Sequence, residues 1–158
     1  MPDTPPVSTL LPPDRVLVGL DAATKEDVVR ALVGAAAASD AVADAAQLEA
    51  DVLAREAQMS TGVGHGVALP HARTASTTAT VAALATLRRP VDFASFDGEP
   101  VEIAVLLAGP EGERGGHVRV LSRLSILLSD GALRGRLRAA RTPAEAAAAL
   151  RDAEAVTP

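Results

Sequence analysis

The chain has 158 residues, no cysteine, a formal net charge of −5 at pH 7 and 48% hydrophobic residues. That length supports one domain with a proper core, and the missing cysteines exclude a disulfide framework, a thiolate nucleophile and a zinc knuckle. Net negative charge with only 1% aromatic residues argues against nucleic-acid binding and leaves Ala, Val and Leu to build the core.

The N-terminal stretch MPDTPPVSTLLPPD has no basic n-region and no apolar h-region, so it does not read as a signal peptide. No window reaches the roughly 18 continuous apolar residues of a membrane span. A soluble cytoplasmic protein is the expectation. Met1 to Pro13 hold five of the eleven prolines and no periodicity. They predict a flexible tail over residues 1–13, ahead of a single domain over 14–152.

Arg15 to Val18 read as a first strand. Asp21 or Thr24 caps a helix, Thr24 having Asp27 three positions on, and its buried stripe is Val28, Val29, Leu32 and Val33. A second helix starts at Asp44 with Gln47 three residues later, buries Leu48, Val52 and Leu53, and ends near Met59 with Arg55 and Glu56 in its last turn. A cation at that end is favoured by the helix dipole alone, which is a purely structural reason for Arg55. Gly62, Gly64 and Gly66 then lead into Val67-Ala68-Leu69, a short buried strand that Pro70 is expected to end, because proline donates no ladder hydrogen bond. His71 would stand at that strand's end, facing a cleft.

Thr80 to Leu87 read as a strand, Arg88-Arg89-Pro90 as a turn and Val91-Asp92-Phe93 as a short extended piece. A turn at Asp97-Gly98 precedes Val101 to Ala108, the strongest buried strand of the chain. Gly109-Pro110 ends it. A glycine-rich loop then runs to His117, which is expected to open a helix through Leu121, Leu124 and Leu128. Asp130-Gly131 breaks that helix, Leu133 and Leu137 carry another, and Thr142-Pro143 starts the last. Strands alternating with helices give an α/β fold. The short connections between Thr80 and Ala108 point to a mixed central sheet, flanked by helices on both faces.

The chain carries three histidines, His65, His71 and His117. His71 follows a strand-terminating proline. His117 follows a glycine loop at the head of a helix, where anions bind. Two imidazoles, a helix terminus and nearby arginines suit a phosphoryl site better than a proton-transfer site. Gly64, His65 and Gly66 could add backbone donors to a phosphate. A zinc reading would use His65 and His71, whose even spacing places them on one face of an extended segment. It lacks a third ligand and the compact helical spacing of a hydrolytic zinc site. Gly62 to Gly66 lack the third glycine of the dinucleotide fingerprint, and no Gly-Lys-Ser/Thr follows, so a phosphorylated protein suits as donor better than ATP. No cofactor and no metal is expected.

Arg55-Glu56, Ser60 to Gly64 and Val67 to Arg73 together resemble the signature of fructose/mannitol-type enzyme IIA domains (EIIA type 2) of the phosphoenolpyruvate-dependent sugar phosphotransferase system. The resemblance covers about Leu10 to Leu150. It implies that His71 accepts a phosphoryl group from the phosphocarrier HPr and passes it to a cysteine of enzyme IIB, through which the domain meets the membrane component IIC. It further implies that His117 is the second active-site histidine and Arg55 the arginine beside the phosphate. His65 departs from the Asn, Asp or Gly more usual there. Nε2 of His71 is the expected nucleophile, with Nδ1 held by a backbone carbonyl. HPr is expected against an apolar rim including Met59 and Val63, with Glu56 or Glu111 facing its basic residues. Two roles share this chemistry, sugar uptake and a regulatory, nitrogen-related receptor.

Overall fold

The computed structural model describes residues 4–157. A six-stranded mixed sheet forms the centre, with β1 (Val16–Leu20), β2 (Gly62–Gly64), β3 (Val67–Ala68), β4 (His71–Arg73), β5 (Val81–Val91) and β6 (Val101–Gly109). Its order is β1-β5-β6-β3-β2, with β4 also paired to β6. Only β5–β6 and β2–β3 are antiparallel neighbours. The helices are α1 (Val7–Leu10), α2 (Lys25–Ala36), α3 (Ala45–Gln58), α4 (Arg114–Leu128), α5 (Gly131–Ala139) and α6 (Pro143–Ala155).

The apolar runs of β5 and β6 are continuous because helices cover both faces of the sheet. Ile103, Val105 and Leu107 point into one core with α1, α4, α5 and α6. Ala104, Leu106 and Ala108, alternating with them, point into a second core with α2 and α3. The expected caps close the helices. Thr24 Oγ1 accepts from Asp27 N at 3.1 Å, Asp44 Oδ1 from Gln47 N at 3.0 Å, and Thr142 Oγ1 from Glu145 N at 3.2 Å.

Three local expectations differ from the structure. The strand does stop before Pro70, at Ala68, but pairing to β6 resumes just beyond it. β3 and β4 lie parallel to β6 in unbroken register, Val67 opposite Ile103 and His71 opposite Leu107. Pro70 needs only to accept there, and its carbonyl takes Leu107 N at 3.0 Å. Arg88-Arg89-Pro90 is part of β5. Pairing with β1 has ended at Leu87, and the ladder to β6 is irregular between Thr86 and Val91, so the missing N–H of Pro90 breaks no regular bond.

The N-terminal segment is docked, not loose. Val7 and Leu11 are buried, and the carboxylate of Glu154 takes Val7 N at 2.6 Å and Ser8 N at 2.9 Å. Arg119 Nε donates to Thr4 Oγ1 at 2.9 Å, and Arg123 reaches the carbonyls of Thr4 and Pro5. The prolines hid a two-residue apolar anchor, Val7 and Leu11, too short to show a period. For residues 1–3 the expectation of a flexible tail lies outside the described residues. Leu11→Ala should therefore cost about 2–4 kcal/mol of stability, as for a buried leucine, measured by urea unfolding. A loose tail would leave the midpoint unchanged.

Candidate active site

Residues two apart on a strand share a face, so β4 presents His71 and Arg73 together while Ala72 turns into the core. His71 is half-buried, and its Nδ1 lies 2.7 Å from the carbonyl oxygen of Leu69. A carbonyl can only accept, so Nδ1 carries the proton and donates. The lone pair is left on Nε2.

His117 faces His71 with ring centroids 5.8 Å apart and planes tilted by 49°. It does not open its helix. Burial of Val120, Leu124 and Leu127 draws α4 back through Gly115 and Gly116 to Arg114, so His117 lies in the first turn. Its backbone N–H is spent on Glu113 O at 3.0 Å, and what it offers the site is its imidazole. That ring is 4% exposed, and neither of its nitrogens has a hydrogen-bond partner within the protein.

Around the two rings runs an open cleft of about 580 Å³, whose walls include Arg55, Arg73, Arg114, Asp51, Gln58 and Glu111. Arg55 Nη1 donates to Met59 O at 3.1 Å, so it does serve its own helix end. The same guanidinium lines the cleft near enough to affect His71 electrostatically. Arg73 Nη1 lies 3.5 Å from Glu111 O. Arg73 and Arg114 were not singled out as site residues from the sequence, yet spacing marks both. Arg73 stands two residues beyond His71 on a strand, and Arg114 three before His117 on a helix.

Gly64, His65 and Gly66 are not part of this cleft. They form the turn between β2 and β3, at φ of 94°, 56° and 78°. His65 N donates to Asp97 Oδ2 at 3.0 Å, and Gly66 O accepts from Glu102 N and Ile103 N. Gly66 thus sits beside Ile103 while His71 sits beside Leu107, four residues or roughly 13 Å along β6. The glycines serve the hairpin, not a phosphate. For the same reason His65 and His71 do not converge, which removes the ligand pair of the zinc reading. Glu56 is corrected as well. It is buried, accepts from Thr61 N and Thr61 Oγ1, and cannot face a partner.

Burial pushes the His117 imidazole down to about 4, with the nearby His71 and Arg73 adding to the effect. Burial likewise lowers His71, opposed by its bond to Leu69, assisted by Arg55 and opposed in smaller part by the Glu56 carboxylate. Both rings are neutral at pH 7. Between pH 6.5 and 4 the unfolded chain binds a proton at residue 117 that the folded chain refuses, so stability falls with pH through that window and levels off below it. The loss attributable to His117 approaches roughly 3 kcal/mol. His117→Gln should flatten that slope, read from urea midpoints at a series of pH values.

Residues 9–153 match the family described as "Phosphoenolpyruvate-dependent sugar phosphotransferase system, EIIA 2". The chain is 35% identical over 136 residues to a nitrogen regulatory protein of Bradyrhizobium diazoefficiens, covering 86% of this chain and 88% of that one. It is 33% identical over 131 residues to the fructose-specific EIIABC component of Bacillus subtilis, covering 83% of this chain but 21% of that longer protein. Among solved structures, the nitrogen regulatory protein IIA-Ntr of Neisseria meningitidis superposes with a TM-score of 0.84 at 29% identity, covering 91% of this chain and 98% of that one. No helix among the described residues is long and apolar enough to cross a membrane. With its two-core α/β architecture and its paired histidines above one cleft, the chain belongs to the EIIA type 2 family of the phosphoenolpyruvate-dependent sugar phosphotransferase system.

Proposed function

We propose that the domain is a cytoplasmic phosphocarrier in which His71 Nε2 accepts a phosphoryl group from the phosphohistidine of HPr and hands it to a cysteine of enzyme IIB. The observation that carries this reading is the bond from His71 Nδ1 to Leu69 O, which commits the proton to Nδ1 and frees Nε2. In the first transfer the donor's N–P bond breaks as the Nε2–P bond forms. In the second the Nε2–P bond breaks as a cysteine thiolate takes phosphorus. Neutral imidazole is nucleophile and leaving group in turn, and burial, which lowers its pKa, favours that neutral form.

Phosphoryl transfer asks the protein for position and charge complementarity more than for covalent help. Arg55, Arg73 and Arg114 give the cleft its positive wall. The guanidinium fork matches phosphate oxygens in pairs. The nitrogens of His117 have no partner of their own, so either is free to bond a phosphoryl oxygen on His71. Val118 on α4 and Met59 after α3, 56% and 70% exposed, give a protein partner apolar rims beside this wall.

A regulatory reading has its own support. The chain aligns with nearly the whole of a nitrogen regulatory protein, and IIA-Ntr is a close structural match. On that reading phosphate on His71 alters the grip on a partner and no sugar is modified. Both readings share the first transfer. Reconstitution with IIB, IIC and candidate sugars separates them by whether label reaches sugar.

With phosphoenolpyruvate, enzyme I and HPr, the protein should gain one acid-labile, base-stable phosphoryl group. His71→Ala should gain none, and a retained label would refute the assignment. Arg55→Lys keeps the charge and loses the fork, so the single-turnover acceptance rate should fall about tenfold or more with little change in melting temperature. An unchanged rate would leave Arg55 as a helix-end residue only.

A further inference from the structure

Outside the residues that line the cleft lies a buried carboxylate to which the chemistry above gives no role. Glu56 is 3% exposed near the C-terminal end of α3. Its Oε2 accepts from Thr61 N at 2.9 Å, its Oε1 accepts from the Thr61 hydroxyl, and Lys25 Nζ of α2 lies 3.6 Å from Oε2. Lys25 is the chain's only lysine. A carboxylate this buried is costly unless its charge is matched and its lone pairs are occupied. Here both conditions are met, which makes the Glu56–Thr61 corner a rigid one.

The corner leads to the nucleophile. Thr61 O accepts from Leu69 N at 2.9 Å, and Leu69 O accepts from His71 Nδ1 at 2.7 Å. From the core outward the order is therefore Glu56, Thr61, the Leu69 peptide, then the imidazole. The first link is a pair of hydrogen bonds and each of the other two is a single one, with donor and acceptor fixed by chemistry. On its other side this chain segment is anchored to β6 through Pro70 O and Leu107 N at 3.0 Å. The β6 anchor fixes the strand's height in the sheet. It does not touch the Leu69 N–H, which only Thr61 holds.

We propose that Glu56 is a positioning residue for His71: by clamping Thr61 it sets the Leu69 peptide, and through the Leu69 carbonyl it fixes the proton on Nδ1 and aims Nε2 into the cleft. The proposal rests on His71 being the phosphoryl acceptor, and it makes Ser60-Thr61 more than a connection between α3 and β2. The three-link route predicts that loosening Thr61 frees the ring without removing any group from the cleft.

The test uses the full chain labelled with 15N-histidine. The ring-nitrogen shifts of His71 give its tautomer directly, and single-turnover transfer from phosphorylated HPr gives its rate. Wild type should hold Nδ1–H almost exclusively. Glu56→Ala should show a mixture of tautomers and accept phosphate about 10- to 100-fold more slowly, the scale expected when a reacting group loses its aim. Glu56→Gln retains an acceptor for Thr61 N and should restore the tautomer and most of the rate. A folded Glu56→Ala with wild-type shifts and wild-type rate would overturn the proposal, as would a folded Glu56→Gln as impaired as Glu56→Ala. If Glu56→Ala does not fold, Thr61→Val provides the reading, since it deletes the hydroxyl bond and keeps the peptide N–H. It should release the tautomer in part and slow acceptance several-fold, and unchanged shifts and rate in that variant would again overturn the proposal. Failure of wild type to take phosphate on His71 would instead strike the functional reading. The ring shifts would still report whether Glu56 orients the imidazole.

Discussion

The interaction on which the site depends is the 2.7 Å bond between His71 Nδ1 and the carbonyl of Leu69, two residues earlier in the same strand. A free imidazole divides its proton between two nitrogens and rotates about two torsions. One backbone acceptor removes the first freedom and most of the second. Leu69 lies in the two-residue break between β3 and β4, across which the register along β6 is kept. Leu69 O, left out of the ladder, turns to the ring.

Electrostatics does the remaining shaping. His117 is buried beside His71 with no partner for its nitrogens, and its protonation is suppressed to about 4 by burial and by its cationic surroundings. The arginines line the same cleft from three different elements, and Arg55 and Arg73 help to keep the two rings neutral. The cost is paid in acid, where both rings resist the protons that the unfolded chain would accept.

Much of this was legible in the residues. Continuous apolar runs, three capped helices and the turn chemistry around Asp97-Gly98 and Asp130-Gly131 located the elements, and the mixed sheet followed from connection length. His71, His117 and Arg55 meet in one cleft as expected. What the residues hid has physical causes. The tail's anchor is two side chains, Val7 and Leu11, among prolines, and its partner Glu154 lies 147 residues away. The stretch from Gly62 to Gly66 suggested a phosphate cradle, but the same permissive backbone also makes a hairpin. Gly62 has Ser95 so close that a Cβ would come within 2.0 Å of Ser95 Oγ. Only the partner strand decides between those uses. Glu56 looked like a surface charge because burial by Thr61 and Lys25 leaves no trace in periodicity.

Phosphorylated protein carrying 15N-histidine, read through its nitrogen–phosphorus couplings, tests the geometry most directly. The expected result is a single coupled nitrogen, Nε2 of His71, with Nδ1 still protonated and bonded to Leu69 O. Phosphorus coupled to Nδ1 of His71, or to a ring nitrogen of His117 or His65, would contradict the assignment of nucleophile and the role given to the Leu69 carbonyl.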